Sequence, residues 1–287
     1  MPKRTMLFIC GGLRIGDTFH LIPFLREASK TYHIHWVHGS YAREASEFIR
    51  DFIQDMDITT ECRPDKKLPT GLSDTVNFYK TYVPEFDIHK YNIVVPENEL
   101  DRASYSKLVC AGFLNFEFDV CGIKFHRLKD SIVTLKNDPP QGDHIVIQPR
   151  TISAWKVSDS LVTMGSRIMG DRTIYNVGNE HERVIKGPNV TTLNGKPLSE
   201  VAYLIRASYF TIALHSSMAC LAYYLGAPLL CVSFGEGFYP FDKERRNNTV
   251  LVKSSLDLLQ TTTRSYLDSP RKRLNSEDIK CPFLISR

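Results

Sequence analysis

The chain has 287 residues and a formal net charge of +4 at pH 7. Its 43% hydrophobic and 24% charged content excludes a disordered tail or a membrane-filling protein and allows two packed domains. The mild positive balance is compatible with an anionic partner without demanding one.

The opening "MPKRTMLFIC" has a basic flank but meets Gly11 and Gly12 too soon for an export signal. The longest uncharged run, 216–235, contains Gly226, Ala227 and Pro228, a helix stop rather than a membrane span. Seven cysteines without a C-x-x-C pair suggest neither a disulfide framework nor a zinc site. Reduced thiols in a cytoplasmic protein without a transmembrane segment are the expectation.

In chain order, "MLFIC" at 6–10 is a short apolar run before glycines, as in a buried parallel strand. The loop "GGLRIGDT" follows, and then 18–32 carries Leu21, Ile22, Leu25 and Ala28 at helical spacing. Asp17 stands where the N-cap of that helix belongs, and Pro23 falls in its second turn. "HIHWV" reads as the next strand, 42–55 as an amphipathic helix and "NIVV" as a later strand. The stretch 59–84 has weak periodicity and takes no assignment.

"LKNDPPQGD" at 135–143, with two prolines and a glycine, marks a boundary between residues 1–138 and 139–287. The alternation then restarts: "HIVIQ" and "TIYNVG" as strands, and "SEVAYLIRAS" as a helix capped by Ser199. "FTIAL" is a strand, "SSMACLAYYLG" a helix ended by Gly226, and "LLCVSFG" the last assigned strand before a basic tail. Two such halves imply an α/β protein of two Rossmann-like domains facing a cleft. Ligands in these sheets sit at the carboxyl ends of strands, where loops 11–17, 149–156 and 215–217 fall.

The glycine loop nearly fits G-x-x-x-x-G-K-[ST], but Asp17 occupies the position of the phosphate-binding lysine. Gly11, Gly12 and Gly16 also miss the G-x-G-x-x-G spacing. Two readings of Asp17 remain: a helix cap, or a general base that deprotonates an incoming hydroxyl.

"GDTFHLIPFLREASKTY" resembles the opening of glycosyltransferase family 9, the heptosyltransferase-like enzymes of GT-B fold, with Gly16, Asp17, Pro23, Leu25 and Arg26 matching. The resemblance implies that Asp17 is the catalytic base and that its loop, with Gly12, Arg14 and Gly16, lies on the acceptor side. "IQPRTISAWK" resembles the family's donor loop, so Thr151, Ser153 and Lys156 inherit contact with the donor diphosphate. Hydroxyls and an ammonium at a helix start make a reasonable anion site, although Lys156 alone reads as a surface lysine. "LIRASYFTIALHSSMACLAYYLGAP" resembles a third signature, implying a donor role for His215, Ser216 and Ser217. It departs at His215, Ser217 and Cys220, which leaves the donor's sugar and nucleotide open. Glu182, four residues after Gly178, matches a family glutamate near the donor nucleotide; an exposed surface acid is the competing reading.

Other signals receive structural readings. Alternation puts His33 and His35 on one strand face, with His38 beyond the strand end and no acidic partner nearby, so no metal site is expected. Asp55 and Asp57 spell D-x-D but read as a helix-end surface pair, and Trp155 reads as packing. The resemblance covers 6–39 and 144–235. It implies an inverting glycosyltransferase that uses a nucleotide-diphospho-sugar and neither metal nor other cofactor. The basic clusters at Lys243, Arg245 and Arg246 and at 271–273 suggest an anionic acceptor. That acceptor is expected to be a bacterial surface glycolipid or saccharide, reached by peripheral membrane contact. The alternatives are a phage-type enzyme acting on hydroxymethylated DNA and a non-catalytic nucleotide-sugar-binding protein.

Overall fold

In a computed structural model, the described residues are 3–10, 15–63, 90–96, 117–120, 122–126, 133–149, 171–182, 184, 187–214, 216–233 and 249–253. The chain divides into two compact units, Met1–Lys136 and Asn137–Arg287.

In the first unit, β1 (Arg4–Cys10) leads to two short helices, α1 (Ile15–Phe19) and α2 (Ile22–Thr31). β2 (Tyr32–His38), a 3-10 turn (Ser40–Ala42), α3 (Arg43–Phe52), β3 (Ile58–Cys62) and β4 (Ile93–Pro96) follow. The sheet is parallel in the order β3-β2-β1-β4, with Met6 opposite Ile34 and Ile93. An antiparallel hairpin, β5 (Glu117–Val120) and β6 (Ile123–His126), turns at Gly122, whose φ of 80° suits a residue without Cβ.

The core of this unit is aromatic. Trp36 meets Phe8 at a ring separation of 5.6 Å, Phe8 meets Phe24 at 5.7 Å, and Phe24 meets Phe125 at 5.7 Å. The chain of contacts joins β2, β1, α2 and β6. Burying each such ring stabilises the fold by roughly 1.5–3 kcal/mol.

The single helix expected from residue 18 is two helices. Pro23 has no N–H and lies in the first turn of α2, where none is needed, so the continuous apolar stripe is interrupted before it. Asp17 is therefore the third residue of α1 and not the N-cap of the following helix. The unassigned stretch begins with β3, which "ITTEC" conceals because only Ile58 of this edge strand is fully buried.

The histidine reading also changes. His38 is the last residue of β2 rather than a residue beyond it. Parallel pairing of β2 with β3 gives the other two histidines acidic partners: His33 Nδ1 lies 2.7 Å from Asp57, and His35 Nε2 lies 3.1 Å from Glu61. Asp57 also meets Lys3 at 2.9 Å, so it belongs to the sheet face rather than to a helix-end pair. Asp55 takes the left-handed conformation, φ 61°, in the turn between α3 and β3. His38 is buried, which lowers its pKa and keeps it neutral. Its Nδ1–H donates to the Gly39 carbonyl at 3.0 Å, and Ser46 lies 2.8 Å from Nε2.

The second unit contains β7 (Ile145–Gln148), β8 (Ile174–Asn176), β9 (Val190–Thr192) and α4 (Leu198–Ala207). β10 (Phe210–Leu214), α5 (Ser217–Tyr224), β11 (Leu229–Ser233) and β12 (Thr249–Lys253) complete it. All neighbours are parallel in the order β12-β11-β10-β7-β8-β9. Counted within the unit, this is the doubly wound order 3-2-1-4-5-6 of dinucleotide-binding sheets. β12 lies within the stretch read as a basic tail.

The α4 cap also differs from expectation. Pro197 precedes the helix in extended conformation, and Ser199 is its second residue. At the other end Arg206 holds Asp138 through two bonds of 2.7 Å and donates to the Leu225 carbonyl at 3.1 Å. Gly142 N–H donates to the Ala207 carbonyl at 2.7 Å, which ties the Pro-rich stretch to this helix. α5 stops as its sequence requires: Gly226, φ 65°, donates to Tyr223 and Ala227 donates to Ala222, a Schellman closure. Among the described residues no helix is long and apolar enough to cross a membrane.

Candidate functional site

In the second sheet the chain reverses direction of winding between β7 and β10, which are adjacent strands. Ligands of open α/β sheets bind outside the strand ends at such a switch point. β7 ends in Gln148, which is nearly buried, followed by buried Pro149. Ser216, directly before α5, donates its hydroxyl hydrogen bond to Gln148 Oε1. That bond ties the start of α5 to the end of β7. It also uses the hydroxyl, so Ser216 makes no side-chain cap and the helix begins at Ser217.

The first turn of α5 leaves backbone N–H groups without intrahelical acceptors, and the helix dipole adds partial positive charge there. The turn contains no acidic residue. Ser217 is the first residue of this helix and stands at that N-terminus.

A second cluster follows the next strand. Asn176 ends β8 and is fully buried. Its Nδ2 donates to Asn194 Oδ1 at 2.8 Å, and Asn194 Nδ2 donates to the Glu182 carbonyl at 2.9 Å. Glu182 N–H donates to the Asn179 carbonyl at 2.9 Å, while Asn179 Nδ2 donates to Glu182 Oε1 at 3.1 Å. The carboxylate lies over Gly178, where an added Cβ would collide with Glu182 Oε2. Glu182 is half-buried and hydrogen-bonded in this loop.

Gly16 and Asp17 lie on α1, the first helix after the carboxyl end of β1. Gly12, Arg14, Thr151, Ser153, Lys156 and His215 lie outside the described residues, as do both basic clusters. Gln148, Asn176, Asn179 and Asn194 take part in the second-unit clusters but were not singled out by the sequence. The available signal was a polar residue ending an apolar strand, in "IVIQ" and in "IYN". Among the described residues no group of three or more His, Cys, Asp or Glu could hold a metal ion.

No protein-family model matches the chain, and no curated protein sequence does. Among solved structures, E. coli heptosyltransferase WaaC with ADP matches at a TM-score of 0.59 and 12% identity, over 93% of this chain and 100% of that one. A glycosyl transferase family 9 protein from Veillonella parvula matches at 0.55 and 12%, over 92% and 89%. The UDP-GlcNAc 2-epimerase of Methanocaldococcus jannaschii, in complex with UDP-GlcNAc and UDP, matches at 0.51 and 14%, over 96% and 97%. Two of these three belong to the group that the sequence motifs resemble. The likeness is one of fold, and the fold is GT-B, built from two Rossmann-like domains.

Proposed function

We propose that the chain is an inverting glycosyltransferase that takes a sugar from a nucleotide-diphospho-sugar. The observation that supports this best is the switch point of the second sheet, where Ser216 is tied to Gln148 and α5 begins. Glu182 lies in the loop that follows β8, on the carboxyl-end side of that sheet, where ligands of such folds bind.

In the reaction, the acceptor oxygen attacks the anomeric carbon as the bond from that carbon to the diphosphate oxygen breaks. Asp17 takes the acceptor hydroxyl's proton, and the nucleoside diphosphate leaves with the bonding electron pair. Ser217 and the α5 N-terminus, with Thr151, Ser153, Lys156 and His215, meet the charge growing on the diphosphate, usually the largest contribution to rate. No metal is required in this scheme. The acceptor is anionic, a phosphorylated bacterial surface glycolipid or saccharide.

Asp17→Asn tests the mechanism. The amide cannot accept the proton, so kcat should fall about 10²- to 10⁴-fold while nucleotide affinity stays at the wild-type value. A wild-type rate in the variant refutes the base, and activity abolished by a chelator refutes metal independence. Product analysis separates the fold's other chemistry, because an epimerised sugar nucleotide without transfer would replace the transferase reading. Truncated lipopolysaccharide and hydroxymethylated duplex DNA serve as competing acceptors. Transfer to DNA alone, with an affinity slope near −0.9 per neutralised phosphate, would replace the glycolipid.

A further inference from the structure

We infer that Asn176 and Asn194 are positioning residues for Glu182, forming an amide relay that sets where its carboxylate meets the donor's nucleoside. The inference rests on the donor-site reading above and adds to it two residues that touch no substrate.

The direction of the relay follows from hydrogen-bond chemistry. The Glu182 carbonyl can only accept, so the Asn194 atom 2.9 Å from it is the NH2 group. Asn194 Oδ1 therefore faces Asn176, and the Asn176 atom 2.8 Å away must also be the NH2 group. Both amide orientations are fixed from one end of the chain of bonds. Asn176 is itself fixed as the last residue of β8, its carbonyl receiving Leu193 N–H at 2.8 Å.

A purely structural role explains Asn176 poorly. The residue is fully buried, and its Oδ1 is a buried acceptor with no hydrogen-bond partner among the described residues. An apolar side chain of similar size would avoid that cost but would leave the half-buried Asn194 Oδ1 without its donor. What the amide supplies is the donor it sends to Asn194, and through Asn194 to the backbone of Glu182.

The two loops joined by the relay are also fastened elsewhere. Gly195 N–H donates to the Gly178 carbonyl at 2.9 Å. Gly195 has φ 74°, and a Cβ there would approach Glu180 Cβ to 3.2 Å, so a larger residue would separate the loops. The carboxylate of Glu182 then receives Asn179 Nδ2 and rests over Gly178. The relay amides are uncharged, so the position they impose does not change with pH across the neutral range.

The test uses the full chain, calorimetric titration with ADP, UDP, GDP and inorganic pyrophosphate, and transfer kinetics. Asn194→Ala should weaken the best-bound nucleotide about five- to tenfold, the loss of roughly one good hydrogen bond, and leave pyrophosphate affinity unchanged. Donor KM should rise by more than kcat falls. Asn176→Leu removes one orphaned acceptor and leaves another on Asn194, so it should melt close to the wild type and bind nucleotide equally weakly. In a Glu182→Ala background, Asn194→Ala should add nothing, since the group it positions is gone. Wild-type nucleotide affinity in both asparagine variants, or an unchanged loss in the Glu182→Ala background, overturns the relay and leaves the donor site standing. Wild-type affinity in Glu182→Ala alone also overturns it, because there would be no contact to position. A wild-type chain that binds none of the three nucleotides overturns the donor-site reading and the relay together.

Discussion

The two units have the same kind of sheet and use their polar side chains differently. In the first, charged and imidazole groups stand along one face and tie neighbouring segments together, Asp57 to Lys3 and His33, and Glu61 of β3 to His35 of β2. In the second, uncharged amides and a hydroxyl gather at the strand ends, where Gln148 is bonded to Ser216 and Asn176 to Asn194. The first arrangement holds a sheet together. The second fixes loops at the carboxyl ends of the strands, with Glu182 as the one charged group among the described residues that it holds in place. The difference separates substitutions that should unfold a unit from substitutions that should mis-set a site.

The largest effect should come from the first unit's core. Phe8 is fully buried and touches both Phe24 and Trp36, so Phe8→Ala leaves a cavity in the middle of the aromatic chain. The expected loss is about 3–5 kcal/mol, read as an early unfolding transition in scanning calorimetry. Nucleotide affinity, measured below that transition, should match the wild type because the residues proposed to hold the donor belong to the other unit. Loss of affinity in the folded variant would mean that the division of labour between the units is wrong.

Gly178→Ala should do the opposite. The new methyl group would displace only the end of the Glu182 side chain, a flexible obstacle, so the melting temperature should barely move. Nucleotide affinity should nevertheless fall about five- to tenfold, since the carboxylate can no longer occupy its place. A variant that melts early and binds normally would give Gly178 a backbone role instead.

Much of this layout was legible in the sequence, and the parts that were not have physical reasons. Apolar runs such as "MLFIC" and "HIVIQ" identify strands buried on both faces, and Gly226 identifies the end of α5 through its backbone freedom. β3 was hidden because an edge strand alternates weakly, and the hairpin β5–β6 because its strands have four residues each. The break before α2 was hidden because the apolar spacing runs through it and only the missing N–H of Pro23 decides the matter. At the site, Ser216, Ser217 and Glu182 stand in motifs. Of their partners, Gln148 lies in a motif that does not mark it and Asn176 and Asn194 lie in none, because strand order and not sequence spacing brings residues 68, 18 and 12 positions apart into contact.

The smallest effect concerns the charged face of the first sheet, and pH exposes it. Partial burial acts to raise the Asp57 carboxyl's pKa, but hydrogen bonds from His33 and Lys3 and their charges outweigh it, and the net shift is downward. A carboxylate with a folded pKa below its unfolded value stabilises the fold above the unfolded pKa, near 3.9. That stabilisation is lost as pH falls through the lower, folded value. Asp57→Asn should therefore cost stability at pH 7, and the gap from the wild type should narrow once the acid medium protonates Asp57. The side chain is 37% exposed, so solvent screening limits the cost to about 0.2–1 kcal/mol, and added salt should reduce it. Urea unfolding of both proteins at pH 7 and pH 3, with and without salt, measures this directly. A gap that persists unchanged at pH 3 would mean that Asp57 holds the sheet through the shape of its hydrogen bonds rather than through charge. The first unit would then resemble the second in relying on neutral geometry, and the contrast between them would disappear.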